Sequence, residues 1–127
     1  MNTLKFYRCE ICGNLTYMVQ NAGPTPACCG QPMKELIPGV TDASQEKHVP
    51  AVQVEGKKVH VQIGSDIHPM LQEHFIQWIC LHTTNGARFH MLAPMQEPQA
   101  SFTLEEGEEV VAVYEYCNLH GLWKKDV

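Results

Sequence analysis

Ala51-Val52-Gln53-Val54-Glu55-Gly56-Lys57-Lys58-Val59-His60-Val61-Gln62-Ile63 alternates apolar and polar residues on both sides of Gly56-Lys57. Period-two alternation broken by a glycine dipeptide is a hairpin pattern, and it predicts strands over 51–55 and 58–63. Val52, Val54, Val59, Val61 and Ile63 then share one apolar face, while His60 and Gln62 look outward. A lone hairpin cannot keep such a face out of water, so further strands must cover it.

Those strands lie C-terminal to it. Phe75 to Thr83 is a long apolar run with hydrophobic residues of both parities, as in a central strand covered on two faces. Asn85-Gly86 reads as a tight turn into Ala87–Leu92. Ser101–Leu104, an acidic turn at Glu105-Glu106-Gly107-Glu108-Glu109, the run Val110–Tyr116 and finally Leu122-Trp123 follow. Short strands separated by turns, with no convincing helix, predict an all-β, seven-stranded immunoglobulin-like β-sandwich whose loops gather at its ends. Cys80 shares strand parity with Ile76 and Trp78 and reads as a buried small apolar residue. His60, His82 and His90 sit inside predicted strands without a partner motif and read as surface or packed side chains.

Toward the N-terminus the pattern changes. Glu35-Leu36-Ile37-Pro38-Gly39-Val40 gives way to the polar run Thr41–Gln45, which marks a boundary with residues 38–47 as linker. The expected domains are 1–37 and 38–127. The first holds four of the six cysteines and few aliphatic strand residues, so a metal stands in for a core. Leu4–Tyr7 and Leu15–Val19 read as short strands. Cys9-Glu10-Ile11-Cys12-Gly13 is a metal knuckle whose backbone amides can hydrogen-bond thiolates, and Cys28-Cys29-Gly30 completes a four-thiolate set. Neighbouring side chains in extended backbone point opposite ways, so bringing Cys28 and Cys29 onto one ion should strain the loop. Four thiolates by themselves suit zinc or iron.

A second site begins at Tyr116-Cys117-Asn118-Leu119-His120-Gly121-Leu122-Trp123, where a thiolate and an imidazole lie at metal-ligand spacing after a strand. Two donors do not complete a coordination sphere, and the loops offer His48, His68 and His74. A four-imidazole, one-thiolate set is unusual for tetrahedral zinc and more natural for octahedral iron with one position open.

Net charge is −5, with 9 Lys+Arg against 14 Asp+Glu, which argues against nucleic-acid or anionic-membrane binding. An anionic substrate would have to be drawn in by local charge. No 18-residue apolar run is present, and Met1–Arg8 lacks the apolar stretch of a signal peptide, so the expected location is the cytoplasm. In that reducing compartment the cysteines read as ligands or thiols before disulfides.

Glu46-Lys47-His48-Val49-Pro50, Gly64-Ser65-Asp66-Ile67-His68-Pro69-Met70, Glu73-His74-Phe75-Ile76-Gln77-Trp78 and Cys117-Asn118-Leu119-His120-Gly121-Leu122-Trp123-Lys124 together resemble the superoxide reductase motifs. The whole chain resembles a two-iron desulfoferrodoxin, with a desulforedoxin-like, rubredoxin-like metal-clamped first domain. The resemblance implies iron at both sites, one held by Cys9, Cys12, Cys28 and Cys29 and one by His48, His68, His74, His120 and Cys117. It implies one-electron reduction of superoxide to hydrogen peroxide, an external electron donor such as rubredoxin, and a homodimer. By the same resemblance, Lys47 is the cation that attracts superoxide to the open position and helps hold the peroxide formed. Glu46 is the carboxylate that can take the sixth position once iron is ferric. Two other classes remain as alternatives: a non-enzymatic two-iron electron carrier, and a zinc-ribbon-type interaction module on a sandwich scaffold.

Overall fold

The computed structural model describes residues 3–127. The chain divides into two compact units, with the division between Ile37 and Pro38. In the first unit, β1 (Phe6–Arg8) lies between β2 (Leu15–Tyr17) and β5 (Lys34–Leu36) in an antiparallel sheet, and β3 (Ala27–Cys28) pairs with β4 (Gln31–Pro32) in a separate ribbon. One apolar cluster joins Tyr7, Cys9 and Met33, with Met18 and Cys28 packed against them, and Phe6 is fully buried with its ring 5.8 Å from that of Tyr17. The second strand stops at Tyr17, short of the expected Val19, which is 83% exposed and has nothing to pack on.

The second unit carries α1 (Gln45–His48) and then seven strands: β6 (Pro50–Glu55), β7 (Lys58–Ile63), β8 (Ile76–Thr83), β9 (Gly86–Met91), β10 (Gln99–Thr103), β11 (Val110–Cys117) and β12 (Gly121–Asp126). They form two antiparallel sheets, ordered β10-β7-β6 and β12-β11-β8-β9. The hairpin closes with Glu55 opposite Lys58, and Gly56 takes the positive φ of 59° that the two-residue turn demands. Val59, Val61 and Ile63 meet Ile79, Leu81 and Val113 in the core between the sheets. The strand with apolar residues of both parities, β8, is indeed internal to its sheet.

Three local expectations shift. Val54 is 46% exposed, because β6 is an edge strand and its row is covered less completely near the hairpin tip. The turn before β9 is Thr84-Asn85, with Thr83 opposite Gly86 and the Thr83 hydroxyl accepting the Asn85 N–H at 3.0 Å. The linker ends in a helical turn that carries Glu46, Lys47 and His48. No helix among the described residues is long and apolar enough to cross a membrane.

Candidate metal centres

The first centre is built on turns. The Cys12 N–H reaches Cys9 Sγ at 3.5 Å and the Asn14 N–H reaches Cys12 Sγ at 3.5 Å, the two amide–sulfur bonds expected of a knuckle. Cys29 carries a positive φ of 52°, rare for a residue with a Cβ, and this reversal is what turns its sulfur to the same side as that of Cys28. Cys12 Sγ and Cys28 Sγ lie 3.6 Å apart, and Cys28 Sγ and Cys29 Sγ 3.9 Å apart. Four sulfurs ~2.3 Å from one ion stand ~3.8 Å from each other, so the set fits a tetrahedral metal. Its electrostatics ask for one. The Cys12 N–H is the main influence holding the Cys9 thiol down to about 6, whereas hydrogen bonds from the neighbouring sulfurs push Cys29 up to about 12. A shared cation removes that conflict.

The second centre draws on α1, the loop between β7 and β8, and the β11–β12 turn. His48, His68, His74, His120 and Cys117 each aim one donor atom at a common point, all within 4.8 Å of one another. The imidazoles form a closed four-sided ring. His48 meets His68, His68 meets His74, His74 meets His120 and His120 meets His48, with centroids 4.6, 4.7, 5.0 and 4.9 Å apart and planes crossed at 76°, 82°, 84° and 85°. His48 therefore stands across the ring from His74, and His68 across from His120. Cys117 Sγ approaches His68 Nε2 at 3.5 Å and His120 Nδ1 at 4.0 Å.

The hydrogen bonds identify which nitrogen points inward. The Nδ1 atoms of His48 and His68 lie 2.6 Å from the carbonyls of Ser44 and Pro69, which can only accept, so each Nδ1 carries the proton and each Nε2 is free. His74 Nε2 is buried without a hydrogen-bond partner. His120 uses Nδ1 instead, 3.1 Å from His48 Nε2, because its tether to Cys117 is only three residues long. Nitrogens ~2.1 Å from one ion and at right angles are ~3.0 Å apart. His48 Nε2 lies 3.1 Å from both His68 Nε2 and His120 Nδ1. Burial pushes the imidazoles of His68, to about 4, and of His48 and His74 below their usual range, which keeps them in the neutral, ligating form. Burial also pushes the Cys117 thiol up, opposed by the N–H groups of His120 and Leu119. An orphaned inward nitrogen, neutral imidazoles and a sulfur with converging N–H donors fit a bound cation.

The surroundings lock these loops together. Asn118 accepts the Phe75 N–H at 2.9 Å and donates to the Glu73 carbonyl at 3.0 Å, clasping the segment that bears His74. The Asp66 N–H and the Ser65 hydroxyl both donate to the Glu46 carbonyl, at 3.0 and 3.3 Å. Gly64 closes this contact: a Cβ there would stand 2.2 Å from the Asp66 oxygen, 2.7 Å from the Glu46 oxygen and 2.8 Å from the Lys47 carbonyl carbon. Lys47 lies on α1 beside His48, and its charge contributes to lowering both His48 and His74. The Glu46 carboxylate is held below its usual range by its own N–H and by the Ser44 hydroxyl at 2.9 Å, and it is not among the converging donors.

Nine of the eleven candidate residues thus come together as two donor groups, with Glu46 and Lys47 beside the second. Cys80 is fully buried and its thiol is pushed up to about 12 by burial. His60 pairs with Ser101 Oγ at 2.9 Å, His90 is exposed, and His82 is buried with Nδ1 unpartnered; none joins a donor group. Gly64, Asn118 and the side chain of Asn14, which donates to Cys28 Sγ at 3.6 Å, are contributors that no spacing rule singles out.

A family model described as Desulfoferrodoxin matches residues 40–126, and one described as Desulfoferrodoxin, N-terminal domain, matches residues 1–36. The desulfoferrodoxin of Syntrophotalea carbinolica is 42% identical over 123 residues, covering 97% of this chain and 96% of that one. The superoxide reductase of Pyrococcus horikoshii is 35% identical over 103 residues, covering 68% of this chain and 90% of that one. Among solved structures, the superoxide reductase from Treponema pallidum superposes with a TM-score of 0.82 at 37% identity, covering 98% of this chain and all of the other.

Proposed function

The chain belongs to the desulfoferrodoxin family, and from that premise we propose that it is a superoxide reductase, converting superoxide to hydrogen peroxide by O₂⁻ + 2H⁺ + e⁻ → H₂O₂. The observation that carries this reading is the closed ring of four imidazoles with the Cys117 sulfur against it. Such a donor set suits iron, which when bound supplies one electron and one coordination position left to substrate. His48, His68, His74, His120 and Cys117 would hold that iron, and Cys9, Cys12, Cys28 and Cys29 a second one.

Each residue has a task that follows from its surroundings. Ser44 and Pro69 hold the protons of His48 and His68 on Nδ1 and so keep Nε2 available. The N–H groups of Leu119 and His120 stabilise the Cys117 thiolate inside a buried pocket. Lys47 is the local cation that a chain of net −5 needs in order to attract an anion, and its influence on His48 and His74 supports a position at the ring's rim. The two protons come from water at this exposed rim. Glu46 would be the carboxylate able to ligate the oxidised iron, which requires it to leave Ser44. A small redox protein such as rubredoxin returns the electron, the first unit assembles the chain as a homodimer, and the protein works in the cytoplasm to remove superoxide.

Rapid mixing of the reduced protein with superoxide tests this reading. We expect growth of the thiolate-to-ferric-iron absorption in step with superoxide loss, and one hydrogen peroxide per superoxide consumed. A dismutase would give one per two, with oxygen released. A carrier that only exchanges electrons with redox proteins, or a colourless zinc protein, would leave superoxide to decay at its own rate.

A further inference from the structure

The histidines of the ring are not braced alike. His48 and His68 each tie Nδ1 to a backbone carbonyl, at 2.6 Å in both cases. His120 turns that same nitrogen inward, so it cannot be tied down in this way. Its loop is held from outside the ring. Trp123, at the third position of β12, donates its indole Nε1–H to the His120 carbonyl at 3.0 Å. The same indole lies face to face with His48, centroids 4.9 Å apart and planes 25° from parallel. It is 3% exposed, so the indole is held in a packed contact. His48 and His120 are adjacent corners of the ring, crossed at 85°.

Given the reading of this ring as an iron centre, we propose that Trp123 is a positioning residue for it, setting the plane of His48 by stacking and the height of His120 by its hydrogen bond. A ring rotation of His48 moves Nε2 off the common point, and a slide of the His120 carbonyl moves Nδ1 and, through three residues, the Cys117 sulfur. One indole resists both. Partners of metal-ligating histidines are worth ~10- to 100-fold in metal affinity, so the effect belongs in that range. Stacking and hydrogen bonding are separable chemically, because phenylalanine keeps a flat ring and loses the N–H, whereas leucine loses both.

The test uses the full-length iron-loaded protein and its Trp123→Phe and Trp123→Leu variants, reduced and challenged with a ferrous chelator. Iron release from the His₄Cys ring should be ~10-fold faster in Trp123→Phe and ~100-fold faster in Trp123→Leu. The thiolate-to-iron band of the oxidised ring should shift in the same order, while iron at the four-cysteine centre leaves at the wild-type rate. Wild-type release and an unshifted band in both variants would overturn the inference. So would equal acceleration at both centres, since that marks general loosening of the fold. The Phe variant, which retains a flat, though smaller, aromatic ring against His48, keeps the test open should the Leu variant misfold. Wild-type protein that binds no ferrous iron at the ring would overturn the proposed function, and this inference with it.

Discussion

The two donor groups of this chain are secured in opposite ways. The four-cysteine set sits on turns of a unit that buries few apolar side chains, among them Phe6, Tyr7 and Met33, and two of its sulfurs, on Cys12 and Cys29, belong to exposed residues. The His₄Cys ring lies at the end of a seven-stranded sandwich, with His48, His68 and Cys117 at 2%, 1% and 0% exposure. In the first unit a bound metal would do much of the work of a core, so site and fold are expected to stand or fall together. In the second the fold is secured by apolar packing, and the ring is a device mounted on it. The difference sets a donor group whose metal would help its unit fold against one that a folded unit carries.

Removing one ligand from each group should produce the largest effects and the sharpest contrast. Cys117→Ser should abolish superoxide reduction and the ring's thiolate absorption while the sandwich keeps its thermal transition. Cys12→Ser should strip the four-cysteine iron and unfold the first unit, with superoxide reduction retained. Visible absorption, metal content and differential scanning calorimetry on the two variants decide it. Loss of both irons from either variant would break the contrast.

A smaller effect should come from Gly64→Ala. The added Cβ collides with three backbone atoms at a residue whose φ is +81°, and strain of that kind costs roughly 2–4 kcal/mol. The clamp between Gly64-Ser65-Asp66 and α1 should open, displacing Lys47 and His48 together. Denaturant unfolding should show the loss in the second unit only, accompanied by a slower reaction with superoxide.

Lys47→Ala should leave the fold intact and slow the bimolecular reaction by ~10-fold, the low end of electrostatic focusing. The wild-type rate should fall with added salt and the variant's should fall less, as the Debye length shrinks from ~10 Å at 0.1 M to ~3 Å at 1 M. Equal rates and equal salt slopes would reduce Lys47 to an ordinary surface charge. Glu46→Ala should keep the initial rate and alter only the oxidised spectrum.

The smallest effect lies in the polar network of β8, β9 and the acidic turn. The Arg88 guanidinium, the Thr83 hydroxyl and the Glu105 N–H hold the Glu108 carboxyl down to about 2. A carboxyl lowered by folding contributes stability that is present above its ordinary value near 4.5 and lost as pH falls toward 2. Acid titration of unfolding should show this limb in wild type and a shallower one in Glu108→Gln. An identical slope in both would show that Glu108 does not link the second unit to pH.

Much of the site was legible because its ligands announce themselves by residue type and local spacing. Cys9-x₂-Cys12, Cys28-Cys29 and Cys117-x₂-His120 are short-range patterns, and their donors do converge. The supporting residues carry no such signature. Asn118, Gly64 and Trp123 lie inside the motifs that carry the family resemblance, but they act on segments 43 residues, 18 residues and 75 residues away respectively, and no local spacing assigns them those contacts. Val54 departs from its expected burial for a related reason, since alternation specifies which face a side chain takes but not whether a neighbour covers that face.

The amino-acid order alone determined the alternating strands, the break near Pro38 and the short-range donor pairs Cys9/Cys12, Cys28/Cys29 and Cys117/His120, because each depends on residues within a few positions of one another, whereas the full four-imidazole set followed from the motif resemblance. The order of the histidines around the ring, the inward nitrogen of each and the bracing by Trp123 were decided only in three dimensions. They depend on where α1, the β7–β8 loop and the β11–β12 turn come to rest on the sandwich, and those positions follow from strand pairing and core packing between residues far apart in the chain.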